Sequence, residues 1–185
     1  DEIYALTGVI PAMDGSHPGV GTRNALLTLD QHQYLATIAP NPAQDLAGTT
    51  GQLLLDHGGT GIRSWAIACD SLTKVATLAA ARNITTRDIL DMSRSTPDGV
   101  KLAWQLLFLT DPHMPFFIDW LKSPHPALST PTGCQLKSFH ISALAPATYL
   151  GLLSDLALPI AVTAGANAFA AELETPKGTV LLNSW

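Results

Sequence analysis

Apolar and polar positions alternate along the chain in a way that divides it into three stretches, each pairing a short helix with short strands. The opening "DEIYALTGVIPAM" reads as the last turns of a helix, with Ile3, Leu6 and Tyr4 facing inward and Gly8 as the stop. "TRNALLTL" and "QYLATIAP" follow as strands, with "DQHQ" between them as a hairpin connection. The stretch "SHPGVGT" before them reads as a turn feeding the first strand, and Pro40, Pro42 and "AGTTGQ" mark a long loop after the second. A second unit opens with a strand over Ile62–Ala68 that runs into Asp70 and Ser71, both good helix caps. Leu72, Val75, Ala76, Leu78 and Ala79 then recur at helical spacing and predict a helix reaching about Asn83. "RDILDMSR" and "VKLAWQLLFL" flank the turn "TPDG" and predict a hairpin, with "PFFIDW" as one more strand.

The third unit repeats this order. It has a strand "QLKSFHISAL", a helix from near Pro146 with Tyr149, Leu150, Leu153 and Leu156 inward, and the strands "PIAVTAG", "AFAAELET" and "GTVLLNSW". The two complete units start about 75 residues apart and share the order strand, helix, three strands. The first unit reads as the same plan without its opening strand. An α+β fold of repeated βαβββ modules is expected, with one domain over 1–127, its second module starting near residue 61, and a further module over 134–185.

Composition narrows the possible roles. Hydrophobic residues make up 46% and charged residues 14%, which leaves little material for disordered tails and leaves an exposed apolar face that favours self-association. The net charge is −5 and the ten Lys and Arg are scattered singly, so the basic footprint of a nucleic-acid binder is missing. Cys69 and Cys134 have no metal or redox spacing and read as small core residues of a reduced, cytoplasmic protein. The chain opens with no signal-peptide pattern. Its longest apolar tract, Leu156 to Ala171, is broken by Pro159, Gly165 and Asn167, so no membrane span is expected.

Taken in order, "HPGVGTRNALLTL", "YLATIAPNP", "MSRSTPDGVKLAWQL" and "PFFIDWLKSPHPA" resemble the glyoxalase-like domain family of the vicinal oxygen chelate superfamily. The resemblance implies curved mixed sheets that enclose a cleft, which in enzymes of that superfamily holds a divalent metal and a small substrate. The metal ligands there come from the first and last strands of paired modules, usually His and Glu, because a catalytic metal needs several convergent donors. Set on that pattern, this sequence has Ala36, Ser64 and Ser138 at three ligand positions, leaving only Asp119 and His140 as scattered donors. A metal-free cleft is therefore expected, without a cofactor.

The chemistry-bearing residues that remain are His17, Arg23 and Asn24 behind two glycines, and Asp119 in an apolar strand. Arg23 and Asn24 suit an anionic or carbonyl-bearing ligand, with His17 and Asp119 as acid and base, so His17, Arg23 and Asp119 are the candidate catalytic set. Trp65, Trp104 and Trp120 can line an aromatic cleft, with His125 between two prolines and His140 on the Ser138 and Ser142 side of its strand as further ligand-binding candidates. Against these stand plainer roles: a turn, core packing, a strand-end carboxylate and a loop cap. Three functions remain: a glyoxalase-like enzyme acting on a small carbonyl or anionic metabolite, a non-catalytic binding module for a small molecule, and a homodimer formed through an open sheet edge.

Overall fold

The computed structural model describes residues 2–95 and 100–185, so the expected "TPDG" turn at 96–99 lies outside the described residues. Three sheets hold all the named strands. The first contains β1 (Ala12–His17), β2 (Thr22–Thr28) and β3 (Tyr34–Pro40), antiparallel and in that order. It follows α1 (Glu2–Thr7), which Gly8 ends in a positive-φ conformation. The second is built from β4 (Ala66–Ala68), β5 (Leu90–Ser95), β6 (Lys101–Leu107) and β7 (Phe116–Asp119). Its order is β4-β7-β6-β5, with β4 parallel to β7. The third contains β8 (Gln135–Ala143), β9 (Val162–Ala164), β10 (Ala168–Thr175) and β11 (Gly178–Asn183) in the order β11-β10-β8-β9.

The first two sheets match each other strand for strand: β1-β2-β3 has the same order and sense as β5-β6-β7, and only the second sheet carries a parallel strand beside its last one. The third unit keeps the expected order of elements but pairs its strands differently from the second. Its first strand lies in the middle, antiparallel to β10 and parallel to β9, where β4 lies at an edge.

Local differences from the sequence reading have identifiable causes. Ser16 and His17 belong to a strand, and the turn is confined to 18–21, where Gly19 and Gly21 take φ 74° and 71°. A register shift between Met13 and Gly15 breaks the period-two pattern that would have announced β1. The long loop contains α2 (Thr50–His57), capped by the Thr49 hydroxyl, which accepts the Gln52 N–H at 3.3 Å. Leu53 and Leu55 of α2 are exposed, so no inward stripe marked it. The strand expected over 62–68 shrinks to β4, with a single bridge from Ile62 to Ser184. Tyr4, Leu6 and Leu150, expected inside, are exposed.

Helix α3 (Leu72–Ala81) starts at the expected cap, Ser71, and buries Leu72, Val75 and Ala79. With Tyr149, Leu152 and Leu153 of α4 (Pro146–Asp155) it fills a core between the second and third sheets, which contribute Leu107, Phe117, Ile141 and Phe169. A smaller core joins Leu27 and Leu29 of the first unit to Cys134 and Leu173 of the third. Both cores therefore bridge the expected junction between 127 and 134.

Candidate functional site in an aromatic cluster

Strand register sets which side chains share a face. Opposed residues of an antiparallel pair point the same way and neighbours along a strand point opposite ways. Thr22, Asn24, Leu26 and Thr28 therefore share one face of the first sheet with Ile38, Ala36 and Tyr34. His17, opposite Thr22, joins them at the far end. In the second sheet, Trp104 and Leu106 share a face with Met92 and Ile118. Trp120, immediately after β7, continues the Ile118 side.

These two faces meet through rings. Tyr34 lies edge-on to Trp120, with centroids 6.3 Å apart, and edge-on to His125 at 5.4 Å. Trp120 in turn meets Trp104 at 5.7 Å and His125 at 5.8 Å. All four rings are half-buried, and none belongs to either of the two cores. Edge-on ring pairs contribute about 0.5–1.5 kcal/mol each beyond the area they bury.

Backbone chemistry aims these rings. The Asp119 carboxylate accepts the Leu121 N–H at 2.8 Å, and Leu121 takes a left-handed φ of 53°, so the chain turns sharply after Trp120. Ser123 then closes the turn onto β6. Its N–H donates to the Trp120 carbonyl at 2.9 Å, while its hydroxyl bonds both backbone groups of Ala103. His125 caps a short 3-10 helix (Pro126–Leu128), its Nδ1 accepting the Ala127 N–H at 3.3 Å. That segment is tied to β2 by Thr28, whose hydroxyl lies 3.1 Å from the Ala127 carbonyl and 3.0 and 2.7 Å from the two Thr130 oxygens.

Burial, reinforced by nearby His32 and opposed by Asp30, pulls the His125 imidazole below its ordinary value. With Nδ1 occupied as an acceptor, the neutral ring carries its hydrogen on Nε2. The indole Nε1 of Trp120 is buried with no hydrogen-bond partner among the described residues, a donor whose desolvation costs about 1–3 kcal/mol when nothing accepts from it.

The residues singled out from the sequence separate into two groups. Trp104, Trp120 and His125 come together, and Tyr34, a strand residue that the sequence does not single out, completes the cluster. Asn24 is half-buried on the same face, opposite Ile38. The expected catalytic set does not converge. His17 Nδ1 is bonded to Thr22 Oγ1 at 2.8 Å, six residues along the sheet from Tyr34, or roughly 20 Å at about 3.3 Å per residue. Arg23 is exposed on the opposite face of β2, in register with Ser16 and Ala39. Asp119 faces away from Trp120, in register with Gln105, and its charge reaches Cys69, whose thiol is pushed up chiefly by burial.

The remaining two lie near the third sheet. Trp65 packs on Phe139 beside the main core and donates its indole N–H to the His113 carbonyl at 3.2 Å. His140 is exposed in a shallow concavity of about 300 Å³ with Ser142, Thr163 and Asn183. A larger concavity of about 590 Å³ runs between Thr28, Cys134, Lys137 and Glu174. It holds no aromatic ring, and burial keeps its Cys134 thiol protonated.

A family model described as a glyoxalase-like domain matches residues 1–157, from α1 through α4 and across the expected junction at 127–134. The chain belongs to the glyoxalase-like domain family. That family is part of the vicinal oxygen chelate superfamily. Among solved structures, the glyoxalase-like chain is similar to a hypothetical protein from Staphylococcus aureus, with a TM-score of 0.61 and 15% identity over 95% of this chain and 77% of that one. That likeness shows the fold. No curated protein matches the chain.

The superfamily implies a divalent metal, and the described residues of this glyoxalase-like chain offer no donor set that fits one. Ala36 presents a methyl group on the Tyr34 face of the first sheet, and Asp119 and His140 lie on different sheets. Among the described residues, no three His, Cys, Asp or Glu side chains are grouped closely enough to hold an ion.

Proposed function

We propose that this glyoxalase-like protein binds a small molecule in the cleft between the first two sheets, through ring contacts and hydrogen bonds and without a metal held by these residues. One observation carries the reading: four half-buried rings from separate segments, Tyr34, Trp104, Trp120 and His125, converge outside both cores. Binding is favoured over the acid–base chemistry expected of His17, Arg23 and Asp119 because those three face different ways. A cleft of aromatic walls with a few polar groups is the usual form of a small-molecule site.

The test is a thermal-shift and tryptophan-fluorescence screen of small carbonyl, aromatic and anionic compounds. A ligand present at a hundred times its Kd stabilises the fold by about 2.7 kcal/mol, a clear rise in Tm. Trp104→Ala is expected to abolish the rise. A screen with no stabilising compound, or hits indifferent to Trp104, would overturn the reading.

A second reading, pairing of two copies through β3, has one observation in its favour. Strand β3 is an edge of its sheet, and Tyr34–Pro40 contains none of the charged residues that usually guard such edges. Sedimentation equilibrium showing a monomer at high concentration excludes it.

A further inference from the structure

The aromatic cluster has a feature that ring packing alone does not require. Trp120 Nε1 is buried and has no acceptor among the described residues, although rings pack equally well as Phe, which has no polar atom to desolvate. Beside it, the His125 ring is fixed by its bond to the Ala127 N–H, which leaves its Nε2–H directed away from the cap. Two neutral N–H donors thus lie on adjoining rings whose centroids are 5.8 Å apart. Edge-on contacts over Trp120 come from Tyr34 and His125, both half-exposed, so the rings that shield the indole N–H are themselves at the surface.

Resting on the cleft-binding reading, the geometry points to a ligand class: a planar aromatic molecule carrying a carbonyl oxygen, its ring against Trp104 and Tyr34 and its oxygen accepting the Trp120 Nε1 hydrogen. A carbonyl is the group that fits, since it accepts without needing a counter-charge and lies in the plane of the ring that bears it. The donor that is costly in the free protein becomes satisfied in the complex, so recognition depends on the acceptor as well as on apolar area.

Acetophenone and ethylbenzene test this directly, because they share a ring and a two-carbon arm and differ in the carbonyl. Both are titrated at millimolar concentration into nitrogen-15-labelled protein, and the indole N–H resonances are followed. Trp120 is assigned through its contacts with Tyr34 and Trp104 and checked by its disappearance in Trp120→Phe. Acetophenone is expected to move the Trp120 indole proton downfield, slow its exchange with solvent, and bind about tenfold more tightly than ethylbenzene, the factor that one modest hydrogen bond supplies. In Trp120→Phe the two compounds are expected to bind alike. If ethylbenzene binds as tightly as acetophenone, or the Trp120 proton stays in place while the ring resonances shift, the acceptor proposal falls and the cleft reading stands. If neither compound disturbs Trp104 or Trp120, the acceptor proposal falls, and the cleft reading is decided by the broader screen. Should Trp120→Phe fail to fold, the shift and exchange rate of Trp120 in the unaltered protein decide the matter.

Discussion

The core between the second and third sheets and the ring cluster between the first and second use similar side chains to opposite ends. In the core, Phe117, Leu152 and Ala79 are 0% exposed, and Tyr149 shows only 3% of its surface and sends its hydroxyl to Asp111. Burial, with the Asp111 charge adding to it, pushes the Tyr149 hydroxyl well above the ordinary tyrosine range, so it stays a donor at all working pH values. In the cluster, no ring is fully buried, one indole N–H has no acceptor among the described residues, and a histidine is held neutral. Apolar surface that is completely covered stabilises a fold, whereas surface that is half covered and polar at its edges is what a ligand can still complete.

That contrast can be broken by substitution. Phe117→Ala should cost about 3–5 kcal/mol in urea unfolding, the range for emptying a fully packed phenyl site. A loss under 1 kcal/mol would mean that the core is not where stability lies. Thr28→Val should come next. It removes the one hydroxyl hydrogen that three oxygens of the 127–130 segment can accept, and leaving a buried acceptor unpaired costs about 1–3 kcal/mol. Because that segment carries His125, the variant should also weaken ligand binding, and unchanged affinity would detach the tether from the cleft.

A pH series gives a smaller effect with a definite sign. The His125 imidazole is depressed in the folded state, so the unfolded chain takes up a proton at higher pH than the native one does. Its contribution is present above about pH 6.5 and is lost as the pH falls through the depressed folded value. His125→Asn keeps an acceptor for the Ala127 N–H and removes the titration. Its Tm should therefore fall less than that of the unaltered protein between pH 7.5 and 5.5, and parallel curves would remove His125 from the account. Smallest of all, Trp120→Phe should change stability by no more than about 1 kcal/mol, since the missing ring atoms are offset by the missing orphan donor. A loss as large as that of Phe117→Ala would make Trp120 a core residue.

How much of this is legible in the sequence differs between elements for physical reasons. Helix α3 is plain because its cap and its stripe agree: Ser71 accepts the Lys74 N–H, and Leu72, Val75 and Ala79 face one way. Strand β10 alternates over its whole length and is equally plain. Strand β1 is hidden by its irregular register and α2 by its exposed leucines, both cases where tertiary contacts replace the local signal. The pairing of the third unit is beyond a linear reading, because the order of elements is the same whether the first strand ends at an edge or in the middle. At the site, strand alternation already sets Asp119 opposite Trp120, and the structure has it so, with the carboxylate used for a turn. Tyr34 was missed because nothing local distinguishes it. Its importance comes from standing opposite Thr28, where the hairpin meets the segment that bears His125.

The Thr28 hydroxyl has one hydrogen to give and three oxygens near enough to take it. Turning the O–H alone redirects that hydrogen from one oxygen to another without moving any heavy atom, so the tie does not depend on a single partner. The backbone adds a second tie at the same residue, the Thr28 N–H donating to the Pro131 carbonyl at 2.8 Å, so one position of β2 grips the segment after His125 through both its side chain and its main chain.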